Sequence, residues 1–256
     1  MRIVRYQIGS AAPAYGWVLD DRVGPIEGSP FGEFRRLEAT MPLTSVRLEP
    51  PVIPSKIILV GRNYEEHAKE LGNPVPDIPM ISLKPPSAVI GPGATIFLPP
   101  QSQQVEHEAE LAVVIGKRGR WIQPEDALSF VLGYTIGNDV TARDLQRRDG
   151  QWTRGKGFDT FCPLGPWIET EFDASDAMIS CHVNQELRQM GSTRDMVFSV
   201  PRLIAFISSI MTLEPGDVIL TGTPAGVGPL APGDVVTAAI EGIGELKNSV
   251  AAEVRP

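Results

Sequence analysis

The sequence predicts an α+β fold in which β-strands dominate and the helices are few and short. Its 256 residues include 25 Gly and 24 Pro, and so many turn-forming residues favour a strand-rich chain over a helical bundle. Short apolar, β-branched runs at Lys56–Val60, His107–Gly116 and Phe130–Asn138 are typical of buried strands. The best helical period of apolar residues covers Ser199–Leu213, and we interpret its stripe as core packing.

The chain is predicted to have two parts, a small N-terminal β domain over residues 1–53 and a larger domain over residues 54–256. The N-terminal part contains two strand-like runs joined by a hairpin turn at Asp20 and Asp21. The segment Glu49–Pro54 contains three prolines, which fix φ and remove backbone donors. It is therefore predicted to be a stiff linker.

A short helix is expected after the first strand of the larger part. Asn63 is predicted as its N-cap, Glu66 stands three residues later in the capping-box position, and Gly72 ends it. The segment that follows, Pro74–Pro86, is rich in proline and is predicted to be a loop, which makes it a candidate lid.

Charge and apolar patterning limit the classes of partner. A net charge of −8 argues against nucleic-acid binding, which needs a basic face. There is neither a signal-peptide-like stretch nor a run of 18 apolar residues, so no membrane span is expected. Cys162 and Cys181 form no Cys-x-x-Cys motif. We expect a reduced, cytoplasmic protein in which Cys162 is a small buried residue.

Three carboxylates belong to two of the predicted strands. Glu108 and Glu110 are two residues apart, so their side chains project from one face of a strand, and Asp139 follows the second strand. Adjacent like charges repel, and their burial is unfavourable unless a cation binds. Oxygen-only ligands favour a hard ion such as Mg²⁺, Mn²⁺ or Ca²⁺. The alternative is that the glutamates lie on the solvated face of an amphipathic strand.

His67 and Glu70 lie three residues apart in the short predicted helix, hence on one face. A carboxylate beside an imidazole can exchange a proton with a water molecule near neutral pH. This pair is therefore a candidate acid–base group. The alternative is an ordinary surface pair on an exposed helix.

Basic residues after the second strand are candidate anion ligands. Arg143 and Gln146 lie three residues apart, and a guanidinium gives forked donors to a carboxylate. The alternative is a solvated basic turn. Lys156 stands between Gly155 and Gly157, on a backbone that can approach a ligand closely, and its charge could stabilise an enolate.

Together these segments resemble the fumarylacetoacetate hydrolase family, in its short form with one catalytic domain. Each segment alone is a weak signal, but they occur in the family's order over most of the larger part. The similar segments are Val60–Tyr64, His67–Glu70, Leu83–Pro85, His107–Leu111, Asn138–Asp144, Lys156–Phe161 and Leu220–Gly228.

The resemblance implies a mixed β-roll or β-sandwich catalytic domain that binds Mg²⁺ or Mn²⁺ and assembles as a homodimer. It also implies which residues form the site. The implied metal ligands are Glu108, Glu110 and Asp139; the implied catalytic residues are His67, Glu70 and Lys156; the implied substrate-binding residues are Arg62, Tyr64, Arg143, Gln146 and Thr223.

The activity implied is that of a divalent-metal-dependent hydrolase or decarboxylase, which cleaves a C–C bond of an acylpyruvate or oxaloacetate-like 2-oxo acid through a metal-bound enolate. The expected partner is a small dicarbonyl acid, with no nucleic acid or membrane. One alternative is an isomerase or decarboxylase of the 2-hydroxyhepta-2,4-diene-1,7-dioate type in aromatic catabolism. An alternative of another class is a non-catalytic metal-binding scaffold, which predicts loss of Lys156 or of the His67–Glu70 pair; the sequence keeps both.

Overall fold

The computed structural model describes residues 1–254 and has the predicted β-rich α+β architecture. Its strands are β1 (Arg2–Gln7), β2 (Ala14–Leu19), β3 (Arg22–Gly28), β4 (Phe34–Arg36), β5 (Met41–Pro42), β6 (Arg47–Glu49), β7 (Ile57–Gly61), β8 (Met80–Lys84), β9 (Val89–Ile90), β10 (Thr95–Leu98), β11 (Val105–His107), β12 (Ala109–Ile115), β13 (Val131–Asn138), β14 (Thr141–Ala142), β15 (Cys162–Glu169), β16 (Met178–Val183), β17 (Glu186–Ser192), β18 (Val218–Leu220), β19 (Gly228–Pro229), β20 (Val235–Ile240) and β21 (Gly244–Ala252). Its α-helices are α1 (Glu65–Glu70), α2 (Arg143–Asp149), α3 (Thr153–Lys156) and α4 (Val200–Ile210), and its 3-10 turns are Leu43–Ser45, Pro86–Ala88, Ala127–Phe130 and Thr193–Asp195. Within the described range, no helix has the length and apolar character needed to cross a membrane.

The N-terminal strands and the centre of the larger part share one sheet, in the order β4-β3-β2-β1-β15-β13-β12-β18-β7-β8. Strand β1 joins the two parts by pairing antiparallel with β15, where Ile3 lies opposite Ile168. The turn predicted at Asp20 and Asp21 is confirmed: both residues have positive φ, 46° and 58°, as a two-residue hairpin between β2 and β3 requires. The division of the chain at residue 53 stays a prediction.

Strands β12 and β13 form the centre of the molecule. Every residue of β12 is buried, because this antiparallel part of the sheet is covered on both faces and its apolar run is therefore continuous. Ala109 of β12 lies opposite Asn138 of β13. This register places Glu108 beside Asp139, and the Asp139 N–H donates to Glu108 O at 2.8 Å. The sheet thus brings two predicted metal ligands together.

A second, five-stranded sheet contacts β12 and β13, in the order β10-β21-β20-β16-β17. Helix α4 packs into the same core through a buried stripe of Val200, Leu203, Ile204 and Ile207. Core packing by this stripe was predicted from the sequence and is confirmed, although the helix ends at Ile210 rather than Leu213.

The predicted N-cap of the first helix is wrong. Helix α1 begins at Glu65, with Tyr64 in the N-cap position. The buried Asn63 side chain instead donates to Phe198 O at 3.1 Å and Thr221 O at 2.7 Å, and accepts from Phe198 N at 2.7 Å. Since a buried amide left unpaired is costly, bridging two distant segments prevails over capping.

The predicted loop at Pro74–Pro86 is also partly wrong. Residues Met80–Lys84 form β8, which pairs antiparallel with β7 throughout. The prolines of this segment lie on either side of β8 and not inside it, so every backbone donor of the strand is intact. Only the residues before Met80 remain a candidate lid.

Candidate active site

The three predicted metal ligands line a cavity of about 410 Å³, a size suited to a small organic acid. The cavity lies where the end of β7, helix α1, the start of α2 and helix α3 meet. Of the eleven predicted site residues, all line this cavity except Glu70 and Tyr64. Residues separated by more than 150 positions in the sequence, such as Arg62 and Thr223, therefore meet in one place.

Glu108, Glu110 and Asp139 each direct one carboxylate oxygen to within 4.8 Å of the other two. Glu110 lies in β12, and Asp139 directly follows β13. Glu108 lies in the gap between β11 and β12, so its predicted place inside a strand is wrong. All three side chains are buried, which removes the alternative of a solvated strand face.

Three buried basic side chains surround these carboxylates. Lys156 Nζ donates to Glu108 Oε2 at 2.9 Å and to Asp139 Oδ2 at 2.5 Å. Arg143 Nη2 donates to Glu108 Oε1 at 2.5 Å. Lys84 Nζ forms an ion pair with Asp139 Oδ1 at 2.6 Å. It donates its hydrogen bonds to the carbonyls of Val140 and Phe161. Glu108 and Asp139 therefore each have two basic side chains beside them.

The carboxylates differ in their electrostatic surroundings. Burial favours the neutral form of Glu108, but Lys156 and Arg143 outweigh it and hold the pKa of Glu108 well below its usual range. Burial together with the charges of Asp139 and Glu108 raises the pKa of Glu110 well above its usual value. Burial would lower the pKa of Lys156, but Asp139 and Glu108 raise it above the ordinary value. Glu110 is thus the carboxylate with the least positive charge beside it.

The donor set fits a hard divalent cation. Glu110 Oε2 accepts a hydrogen bond from Gly222 N at 2.7 Å, and no other residue in the described range donates to Glu110. Asp139 Oδ1 is buried and accepts no aligned hydrogen bond from residues 1–254. Carboxylate oxygens that keep acceptor capacity while close together are the ligands that Mg²⁺ and Mn²⁺ prefer. Glu108, Glu110 and Asp139, the acidic trio, could hold either ion.

His67 and Glu70 form a contact at the edge of the cavity. His67 Nδ1 lies 3.2 Å from Glu70 Oε2, and the imidazole is only 5% exposed. Glu70 Oε1 also accepts a hydrogen bond from Gly226 N at 3.0 Å. The imidazole is therefore oriented by a carboxylate that is itself held by a loop, and it is not the surface pair of the alternative interpretation.

A family model described as fumarylacetoacetate (FAA) hydrolase, C-terminal, matches residues 56–251. The chain belongs to the fumarylacetoacetate hydrolase family. A second model, described as Rv2993c-like, N-terminal, matches residues 1–51. The family predicted from the sequence motifs is confirmed.

Similar members of the fumarylacetoacetate hydrolase family are enzymes of several reaction types. The human mitochondrial oxaloacetate tautomerase FAHD2A is 49% identical over 215 residues, which cover 79% of this chain and 68% of that protein. The structure of 5-carboxymethyl-2-hydroxymuconate delta-isomerase from Mycobacterium smegmatis is 45% identical, covers 99% of this chain and 100% of that chain, and has a TM-score of 0.92. Maleylpyruvate hydrolase from Sphingobium sp. SYK-6, solved with manganese(II) and pyruvate, is 34% identical with the same coverage and a TM-score of 0.82.

The other predicted substrate-binding residues differ in how they meet the cavity of this family member. Arg62 lines it from the left-handed backbone region, at φ 57°, which is uncommon for a residue other than glycine. Gln146 lines it while accepting from Arg143 Nη1 at 2.7 Å. The Thr223 hydroxyl donates its single hydrogen to Ala109 O at 2.8 Å, so donation to a substrate would require rotation of that hydroxyl.

Tyr64 is the predicted substrate-binding residue that does not line the cavity. Its side chain is 2% exposed and packs in the largest hydrophobic core cluster. Burial, with smaller contributions from Glu110 and Asp195, raises the pKa of its hydroxyl strongly. The structure does not bring Tyr64 to the cavity surface, and its predicted role stays a prediction.

Sequence reasoning missed three buried residues that organise the site. Glu106 accepts from Arg143 Nε at 2.7 Å, and it continues the alternate spacing of Glu108 and Glu110, a signal that the sequence contained. Lys84 lies in Leu83–Pro85, one of the segments that resemble the family. Nothing near it in the sequence indicated that it would pair with Asp139. Gln189 lies in the other sheet, and no local pattern connects it to the site.

Proposed function

We propose that this member of the family is a divalent-cation-dependent enzyme that transfers protons between the enol and keto forms of small 2-oxo diacids such as oxaloacetate. The observation that carries the proposal is the convergence of three buried carboxylates, Lys156 and His67 on one small cavity. The names of the similar tautomerase and isomerase, both of which interconvert isomers, support this direction.

The metal ligands in this proposal are Glu108, Glu110 and Asp139. A divalent cation bound by them would supply a Lewis acid for the carboxylate and 2-oxo oxygens of the substrate. The maleylpyruvate hydrolase structure contains manganese(II) and pyruvate, which supports a divalent cation and a 2-oxo acid as the ligands proposed here. Mg²⁺ and Mn²⁺ both suit the oxygens present here.

Lys156 supplies fixed positive charge. Its ammonium group is buried against Glu108 and Asp139, and its raised pKa keeps it protonated at neutral pH. A preorganised charge of this kind stabilises negative charge that develops on a nearby substrate oxygen. We assign carboxylate binding to Arg62, Arg143 and Gln146, which line the same cavity.

His67 moves the proton in this proposal. Its Nδ1 is held by Glu70, which leaves Nε2 as the nitrogen that takes the proton from, or returns it to, the carbon next to the 2-oxo group. General acid–base catalysis by an oriented imidazole accelerates such a step about 10²–10⁴-fold. The Gly226 N–H, by holding Glu70, fixes the ring indirectly.

Hydrolytic cleavage of a C–C bond in an acylpyruvate is the second candidate, and the His67–Glu70 pair favours it, because the same pair could deprotonate a water molecule for attack on the distal carbonyl. Decarboxylation of oxaloacetate is a further outcome of the same site, in which CO₂ leaves the carbon that would otherwise exchange its proton. The predicted homodimer and the predicted role in aromatic catabolism stay predictions.

A substrate panel with product analysis tests the proposal. The purified protein is incubated with Mg²⁺ or with a chelator, and with oxaloacetate, acetylpyruvate, fumarylpyruvate or a carboxymethyl-hydroxymuconate isomer. A cation-dependent change in enol absorbance without release of pyruvate or CO₂ is expected for oxaloacetate. Pyruvate release from an acylpyruvate would favour the second candidate, and no cation-dependent change with any of these acids would contradict both.

A further inference from the structure

Gln189 is a completely buried side chain of β17 that reaches out of the second sheet toward the active site. Its Oε1 accepts from the Ala109 N–H at 3.0 Å and lies 3.0 Å from His107 Nδ1. Its Nε2 donates to Thr223 Oγ1 at 2.6 Å and to Pro224 O at 2.7 Å. The donors and acceptors of this one amide are therefore all hydrogen-bonded, and their partners belong to two segments that are more than 100 residues apart in the sequence.

These contacts fix the orientation of the amide and of its neighbour. Exchanging Oε1 and Nε2 of Gln189 would place a donor against the Ala109 N–H and an acceptor against Pro224 O, so the orientation described is the only one without two repulsions. With Oε1 as the acceptor, His107 must carry its proton on Nδ1.

On one side, Gln189 holds the backbone that carries the carboxylates. Ala109 lies between Glu108 and Glu110, and its N–H is bound to Gln189 while its carbonyl accepts from Thr223 Oγ1 at 2.8 Å. A rotation of this peptide segment would move both carboxylates, because side-chain direction on a strand follows the backbone.

On the other side, Gln189 holds the loop that supports the acid–base pair. This loop, Thr223–Gly226, packs so closely on β17 that a Cβ on Gly226 would lie 2.0 Å from Arg188 O. Gly226 N in turn donates to Glu70 Oε1 at 3.0 Å. A continuous set of contacts therefore runs from Gln189 through this loop to Glu70.

We propose that Gln189 is a positioning residue that sets the placement of the Glu108–Glu110 segment relative to the His67–Glu70 pair. It makes no hydrogen bond to the side chains of Glu108, Glu110, His67 or Glu70. It acts through the Ala109 backbone and the Thr223–Gly226 loop. The cation-binding half of the inference stands on the carboxylate geometry alone, whereas the effect on turnover rests on the proposed function.

The test compares Gln189→Met with Asn248→Leu. Asn248 is a matched control, because it is a buried amide of β21 in the same sheet that donates to Gly91 O and Ala94 O, both at 2.9 Å, and neither it nor those partners line the cavity. Mn²⁺ affinity is measured by electron paramagnetic resonance, stability by thermal unfolding, and kcat and KM with the substrate that the wild type accepts.

Gln189→Met is expected to weaken Mn²⁺ binding about tenfold or more, in the range known for residues that orient metal ligands, and to lower kcat more than it raises KM. Asn248→Leu is expected to lower the melting temperature comparably and to change neither Mn²⁺ affinity nor kcat. Equal Mn²⁺ affinity in the two variants would overturn the inference, as would a wild type that binds no Mn²⁺.

Gln189→Glu keeps the inference testable if the methionine variant does not fold. Glutamate retains the acceptor for Ala109 and lacks at least one donor toward Thr223 and Pro224, so it should retain most Mn²⁺ affinity and lose turnover. Unchanged turnover in this variant would overturn the link to the loop. If the wild type converts no 2-oxo acid, the proposed function fails, while Mn²⁺ affinity still decides the positioning of the carboxylates.

Discussion

Asp217 and Glu110 are both buried carboxylates at the ends of central strands, yet their surroundings differ. Asp217 Oδ1 accepts from Ser55 Oγ at 2.6 Å and Lys56 N at 3.2 Å, while its Oδ2 accepts from Glu214 N at 2.7 Å and from Lys56 Nζ. Glu110 accepts only from a single backbone N–H in the described range and faces the carboxylates of Glu108 and Asp139.

The number of hydrogen bonds that each carboxylate accepts distinguishes a structural carboxylate from a metal ligand. A buried charge whose acceptor positions are filled by the protein has no capacity left for a ligand, and it contributes to folding through its partners. A buried carboxylate that keeps unused acceptor capacity beside like charges is unfavourable until a cation arrives. Substitutions of Glu110, His67, Lys156 and Asp217 should therefore separate loss of cation binding or turnover from loss of stability.

The largest effect is expected for Glu110→Gln. Loss of one of three charged ligands should reduce turnover below detection and remove the rise in melting temperature that Mg²⁺ or Mn²⁺ produces in the wild type. Without a cation, the variant should be no less stable than the wild type, because glutamine keeps an acceptor for the Gly222 N–H and replaces a carboxyl whose ionisation burial, Asp139 and Glu108 already disfavour. Thermal unfolding with and without the cation checks this, and a large loss of stability in the cation-free variant would mean that Glu110 is structural.

A smaller loss is expected for His67→Ala. Removing the acid–base group should lower turnover about 10²–10⁴-fold. Cation affinity should be nearly unchanged, because the imidazole is not one of the proposed ligands. Steady-state kinetics and Mn²⁺ titration on the same sample separate the two quantities, and a parallel loss of both would assign His67 to the cation site.

Lys156→Met should lower turnover about 10²–10³-fold, the range measured when a preorganised electrostatic group is removed. Cation affinity should hold or increase, since a positive charge that competes for Glu108 and Asp139 is gone. Lys56→Met is the control, because Lys56 pairs with Asp217 and does not line the cavity. Weaker cation binding in Lys156→Met would show that the lysine organises the ligands.

The contrast also explains what the sequence could predict. Spacing predicted that Glu108 and Glu110 project from one side of the chain, and the end of an apolar run made Asp139 a candidate third ligand, because strand periodicity is a local rule. Local rules gave the β-rich fold class and the hairpin turn at Asp20 and Asp21. They do not say which carboxylate a lysine 55 or 161 positions away will meet.

The misses have the same origin. Asparagine is a residue type that favours the N-cap position. The Asn63 amide instead donates to the carbonyls of Phe198 and Thr221, which only the fold brings near it. The proline-rich composition of Pro74–Pro86 is typical of a loop. Met80–Lys84 nevertheless forms a strand, because it pairs with the edge of β7. In both cases a long-range partner outweighed a local preference, and a single sequence contains no signal for such a partner.

Asp217→Asn is expected to leave catalysis nearly intact and to reduce stability. Removing the charge of Asp217 breaks its pair with the partly exposed Lys56 and should cost about 3 kcal/mol, because the amide cannot accept from Ser55, Lys56 and Glu214 together. Denaturant unfolding measures the loss, and it should be the same with and without Mg²⁺, since Asp217 is not in the cavity. A cation-dependent difference between variant and wild type would show that saturated and unsaturated carboxylates are not functionally separate in this fold.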